Sequence, residues 1–174
     1  MRLAVAALLL AAVFAPPVRA DSIVMPEVDT GLLAPVDRVV VRKGERRMYL
    51  YRDDRVVRRY KVSLGLAPDG HKEREGDFRT PEGRYYLTRR NPQSEFFLSI
   101  QVSYPNGQDI DAARRRGVRP GGAIMVHGLP NVPRYPRDKY LSNDWTDGCI
   151  ALGNDEMLEF WLLTQSQTPI DIEP

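Results

Sequence analysis

Cys149 is the one cysteine in this chain of 174 residues, and His71 and His127 are its only two histidines. A thiol has a pKa near 8.5, so about a few per cent is thiolate at neutral pH, and a neighbouring imidazole raises that fraction by taking the proton. His127-Gly128 closes the apolar run Ala123–Val126, whereas His71 sits among polar turn residues with no apolar strand to place it. His127 is therefore the expected base, 22 positions before Cys149. The carbonyl of Gly128 is placed to hold the second imidazole nitrogen, because glycine lets the chain approach closely. Gly148 allows a bend that turns the amides of Gly148 and Cys149 toward a developing oxyanion. These groups suffice for acyl transfer. Two other readings stay open on the residues alone: Cys149, followed by Ile150-Ala151-Leu152, as an inert core thiol, and His127 as a structural histidine. One cysteine and two histidines serve zinc poorly, so no metal is expected.

The elements that must position these groups read as mostly β. Val39 and Val41, then Met48 and Leu50, then Val56 to Leu64 form three β-rich runs separated by Lys43-Gly44-Glu45 and Asp53-Asp54, an antiparallel meander. Residues 65–76 are polar and turn-rich. Thr80-Pro81-Glu82-Gly83 turns into a strand over 84–88, and Phe97 to Val102 reads as another. Asp109 to Arg116 is a short exposed helix stopped by Gly117. Ala123 to Val126 is a buried strand ending at His127. From Leu129 to Trp145 the chain holds three prolines and mixed charge, too long for a plain connection. Asn154 is placed to cap a helix with Asp155 and Glu156 in its first turn and Met157, Phe160 and Trp161 packed on one face. Thr168 to Ile172 closes the chain as a strand.

Residues 1–20 read as a cleaved secretory signal: Arg2, an apolar run from Leu3 to Phe14, then Pro16, Pro17, Val18 and Ala20. The run is short of the roughly 20 apolar residues a membrane span needs, so the expected mature chain is soluble, with no span and no lipid attachment. Residues 21–35 form a lead-in, and the domain occupies 36–174. Of 25 basic residues, Arg2 and Arg19 go with the leader, leaving 23 against 23 acidic ones. A neutral chain lacks the basic footprint of a nucleic-acid binder, and no nucleic acid is expected. Arginine pairs and a triplet at Arg58-Arg59, Arg89-Arg90 and Arg114-Arg115-Arg116 suit either a peptide carboxylate or plain solvated surface. A lone cysteine in an exported chain makes no internal disulfide.

Val126-His127-Gly128, the loop after it, and Thr146-Asp147-Gly148-Cys149-Ile150-Ala151-Leu152 together resemble the signature of YkuD-type L,D-transpeptidases. The likeness runs from about residue 36 to 173. It takes in Gly-Asp-x-x-Thr-Pro-Glu-Gly at 76–83 and Tyr104-Pro105-Asn106, similar to a Gram-negative subset. The resemblance implies a mainly β fold of mixed sheets, sandwich- or barrel-like, with one or two short helices. It implies Cys149 as nucleophile, His127 as base, no cofactor, and a periplasmic site where the diaminopimelate–D-alanine bond of a peptidoglycan stem peptide is attacked. The acyl group then passes to a stem amine or to a lysine of an outer-membrane lipoprotein. With water as acceptor the protein is a hydrolase or L,D-carboxypeptidase, and a wall-binding module without turnover is the reading from another class. The family pattern has histidine at the position of Asp147 and arginine at that of Ala151, groups thought to position substrate. Trp145, Thr146 and Asp147 are the expected substrate contacts, Asp147 either as partner to the diaminopimelate ammonium or as a turn residue. The His-to-Cys spacing is slightly long and implies an enlarged lid between Leu129 and Trp145.

Overall fold

A computed structural model describes residues 34–174. The signal at 1–20 and most of the lead-in lie outside the described residues. The meander forms as expected: β1 (Arg38–Arg42), β2 (Arg47–Arg52) and β3 (Arg55–Lys61) pair antiparallel in sequence. The β2–β3 turn is tight because Asp53 and Asp54 both take positive φ, +48° and +59°, which matches the twist of the flanking strands. β1 is apolar through Val39, Val40 and Val41 because it lies inside the sheet, whereas β2 alternates, burying Met48 and Leu50.

β4 (Gly83–Ser94) and β5 (Phe97–Val102) form a long bulged hairpin. α1 (Gly107–Arg115), β6 (Met125–His127), α2 (Arg137–Ser142), β7 (Ile150–Ala151), α3 (Asn154–Leu163) and β8 (Pro169–Glu173) follow. All eight strands join one mixed sheet in the order β3-β2-β1-β8-β4-β5-β6-β7, with β1–β8 and β6–β7 parallel. Just beyond β3, Ser63 exchanges both backbone hydrogen bonds with Ala151 of β7, at 2.9 and 2.8 Å. The two ends of the sheet therefore meet, and the expected barrel-like mixed fold is what forms.

α3 lays Met157, Phe160 and Leu163 into the core, and its packing partner in the sheet is β5. Each such side chain contributes roughly 1.5–3 kcal/mol by leaving water. Trp161 is only partly buried and is covered by the Arg90 guanidinium, 3.9 Å from its ring. The other arginine clusters also do structural work: Arg58 pairs with Glu159, Arg114 with Asp111 and Arg116 with Glu73.

Several boundaries differ from expectation. There are three short helices among the described residues, because a turn of helix, α2, forms inside the proline-rich stretch. α1 begins two residues early, where Asn106 and Asp109 make a capping box. β4 runs on to Ser94 through Arg89, Arg90 and Asn91, and β6 starts only at Met125 because Ala123 takes φ +54°. Asn154 does not cap α3; Gly153 occupies that position without a side-chain bond, and Asn154 Oδ1 instead accepts from Leu129 N–H at 2.8 Å.

Candidate active site

β6 and β7 run parallel with Val126 opposite Ile150 and His127 opposite Ala151. Cys149, two residues before Ala151, thus falls on the face that carries His127. Both side chains line one cavity of about 630 Å³.

His127 is only 4% exposed. Its Nδ1 lies 2.7 Å from Gly128 O; a carbonyl can only accept, so Nδ1 carries the hydrogen and Nε2 keeps its lone pair. Gly128 tolerates no side chain: a Cβ there would meet Asn154 Oδ1 at 2.8 Å and Phe97 Cβ at 2.9 Å. Burial pushes the imidazole down to about 4, against a smaller upward pull from the Gly128 bond. Burial likewise pushes the Cys149 thiol up; Met125 N–H, donating to Sγ at 3.4 Å, and distant Lys72 pull it down, while Asp147 adds to the rise. The resting pair is therefore a neutral thiol and a neutral imidazole.

The turn ahead of Cys149 is braced from within and below. Thr146 Oγ1 accepts from Gly148 N–H at 3.1 Å and donates to Cys149 O at 2.7 Å. The Gly148 amide is thus bonded within the turn, and the Thr146 hydroxyl braces that turn while the residue also borders the cavity. Gly148 sits at φ +124°, where a Cβ would lie 2.6 Å from Arg79 O. The segment 76–83 thus forms the floor of the turn that carries Cys149. It is held by Asp77, which accepts from three backbone amides and buried Lys72, and by buried Lys43, which donates to Gly70 O, Thr80 O and Glu82.

Trp145 borders the cavity edge-on to His127, ring centroids 5.6 Å apart. The stretch 129–145 reaches it as an anchored arm: Tyr140 of α2 is buried, its carbonyl accepts from Ser63 Oγ at 2.7 Å and Trp145 Nε1 at 3.1 Å, and its hydroxyl accepts from Arg134 N–H. Asp147 lines the same cavity, exposed. Sequence reasoning missed Phe96, which packs at a tilt against His127 with ring centroids 4.7 Å apart, and its neighbours Asn91, Ser94, Glu95 and Ser99. The signal available was Phe96-Phe97 in a polar stretch, a bulky pair at a hairpin tip that needs something to cover. His71 stands apart, bound to Glu82 N–H and Asp109. No group of three or more metal-ligating side chains occurs among the described residues, and no helix there is long and apolar enough to cross a membrane.

A barrel-like mixed sheet with an imidazole on β6 and a thiol just ahead of the parallel β7 is the setting in which the family becomes plain. The L,D-transpeptidase catalytic domain family (YkuD) matches residues 36–172, and the chain belongs to it. That family acts on peptidoglycan. Among relatives, YafK of Escherichia coli K12, an L,D-transpeptidase by name, is 39% identical over 70 residues, covering 39% of this chain and 25% of its own length. Among solved structures, the helical cell shape determining protein Pgp2 of Campylobacter jejuni is 30% identical with a TM-score of 0.59, covering 80% of this chain and 48% of that one. The L,D-transpeptidase of Xylanimonas cellulosilytica shares the fold at 17% identity and a TM-score of 0.51, covering 80% of this chain and 61% of that one. The chain thus spans about a quarter of YafK and half of Pgp2.

Proposed function

We propose that the protein is an exported peptidoglycan L,D-transpeptidase with Cys149 as nucleophile and His127 as its base. The observation that carries this reading is a neutral imidazole, one nitrogen fixed by Gly128, facing the same cavity as the thiol. In the first step Nε2 of His127 takes the thiol proton as sulfur bonds to the carbonyl carbon of diaminopimelate in a tetrapeptide stem. The imidazolium returns that proton to the leaving amine, D-alanine departs, and a thioester remains. An amine then attacks the thioester, gives its proton to His127 and restores the thiol. A stem amine as acceptor yields a cross-link, and a lipoprotein lysine yields an anchored lipoprotein. Because thiol and imidazole are both neutral at rest, the proton moves during attack and not before binding. The Cys149 amide is the oxyanion donor in this scheme, with Gly148 N–H held by Thr146. Residues 1–20 serve as the export signal, which puts the reaction in the periplasm.

The test is mass spectrometry of purified muropeptides incubated with wild-type protein and with Cys149→Ala. Cysteine-dependent products of dimer mass less D-alanine support the transpeptidase. Stems merely shortened by D-alanine, or released from lipoprotein, move the assignment to a hydrolase. No change in any substrate sinks the enzymatic reading and favours a binding module.

A further inference from the structure

The cavity at Cys149 is lined by two carboxylates, Asp147 and Glu95, and by no lysine or arginine. Both are exposed, and neither has an ion pair or side-chain hydrogen bond among the described residues. That sets them apart from Asp77, Asp109, Asp144, Asp171, Glu82 and Glu159, each of which is paired. A third, independent group points the same way. Ser99 is 6% exposed. It lies opposite His127 in the β5–β6 register, so its side chain is on the His127 face, and it lines the same cavity. Its hydroxyl has no hydrogen-bond partner among the described residues and is open to the cavity, where a ligand donor or acceptor can reach it. The two charged side chains of the lining are therefore both negative, with an unpartnered hydroxyl beside the reacting atoms.

Such a pair of carboxylates welcomes an ammonium, which supplies three donors and a positive charge. The position of Asp147 also has a cost that only a cation offsets: its charge works against ionisation of the neighbouring thiol. A cation bound against it removes that opposition when substrate is in place.

We propose that Asp147 and Glu95, with the Ser99 hydroxyl, form a subsite for a free ammonium on the side chain of the residue whose carbonyl Cys149 attacks. The inference rests on the catalytic reading above and narrows its substrate class. Stems whose side-chain amine is free are taken; stems whose amine is already acylated lose the charge and leave both carboxylates unpaired. The enzyme then acts on stems before their amines have been consumed by cross-linking.

The test is calorimetric binding of two synthetic tetrapeptide stems, one with the side-chain amine free and one with it acetylated, to the Cys149→Ala protein. The free amine should bind about tenfold tighter, the size of one hydrogen bond to a charged group, and the ratio should shrink in high salt. Adding Asp147→Asn should bring the ratio toward one, and adding Glu95→Gln should lower it by a smaller factor; both positions are exposed, so the fold should survive. Equal affinity for the two peptides, a ratio unchanged by both carboxamide variants, or no measurable binding of either peptide overturns the subsite. Separately, wild-type protein incubated with the free-amine peptide is weighed intact. Absence of a Cys149 acyl adduct and of any product overturns the catalytic reading, while the binding ratio still decides the subsite.

Discussion

The neighbourhoods of the two histidines make opposite use of the same ring. His71 spends both nitrogens: Nδ1 accepts from Glu82 N–H at 3.0 Å, and Nε2 lies 3.2 Å from Asp109 Oδ1. It thereby ties the 65–82 loop to the start of β4 and to the capping box of α1. His127 spends one nitrogen on Gly128 O and turns the other toward a cavity that holds a thiol. An imidazole is free for proton transfer when one nitrogen fixes the ring and the other is left over; with both satisfied it is a staple. The surroundings follow the same division. Around His127 lie apolar strands and the rings of Phe96 and Trp145, which strip water and hold the ring neutral, while around His71 lie polar loops that carry their own hydrogen bonds.

The sharpest way to break this contrast is to remove each ring in turn. His127→Ala should lower Cys149-dependent turnover of stem peptides by about 10²–10⁴-fold, the usual worth of a positioned proton-transfer group. His71→Ala should leave the rate within about twofold, since it lines a different hollow. Steady-state kinetics on both variants decide it, and equal losses would sink the division of labour.

The second effect is on stability. Below pH 6.5 the unfolded chain takes up a proton at His127 that the folded chain refuses until about pH 4. The unfolded state then holds more protons, so stability falls as pH drops through that window, by about 3 kcal/mol in all. Urea unfolding at pH 7 and pH 4.5 should show the loss in wild type and a much smaller one in His127→Gln. The same property sets the acid limb of kcat/KM, which should fall below pH 5 and not near 6.5. A limb at 6.5 would mean that some other group titrates.

Thr146→Val sharpens the contrast from the Cys149 side. It removes the hydroxyl that accepts from Gly148 N–H and donates to Cys149 O, both with little exposure to water. The expected cost is about 2 kcal/mol in unfolding free energy. Turnover should drop roughly tenfold as the turn loosens, a pace set by how steeply rates respond to misplacement. Unchanged turnover would leave Thr146 as a mere surface of the cavity.

The contrast also explains what was legible in the sequence. Cys149 and His127 stand out in the sequence because few residue types carry that chemistry, and each abuts an apolar run that forms a strand. The meander, β5 and β8 followed from β-branched patterning. Side-chain hydrogen bonds within a turn leave no periodic trace, so the capture of Gly148 N–H by Thr146 went unseen, as did the use of Asn154 on Leu129 in place of a helix cap. Phe96 and Glu95 sit at the tip of the β4–β5 hairpin, whose charged, bulged residues Arg89 to Ser94 read as loop because their pairing is decided by the partner strand and not by their own pattern. α2 was hidden by Pro130, Pro133 and Pro136; it holds because tertiary contacts of Tyr140 outweigh weak local propensity.

The smallest effect belongs to His71 itself and reads its role directly. His71→Ala removes a donor to the buried Asp109 carboxylate and an acceptor for Glu82 N–H, worth about 1–2 kcal/mol together. Asp109 keeps its bonds from Tyr85 O–H at 3.0 Å and Asn106 N–H at 2.8 Å, which is why the loss should be no larger. In a domain of this size that is a drop of about 3–8 °C in Tm. An Asp109→Asn variant should show a loss of the same order, and combining it with His71→Ala should give less than the sum of the two, because each change removes the shared bond. Strict additivity would mean that the His71–Asp109 contact contributes nothing, and that the loop is held by Lys43 and Asp77 alone.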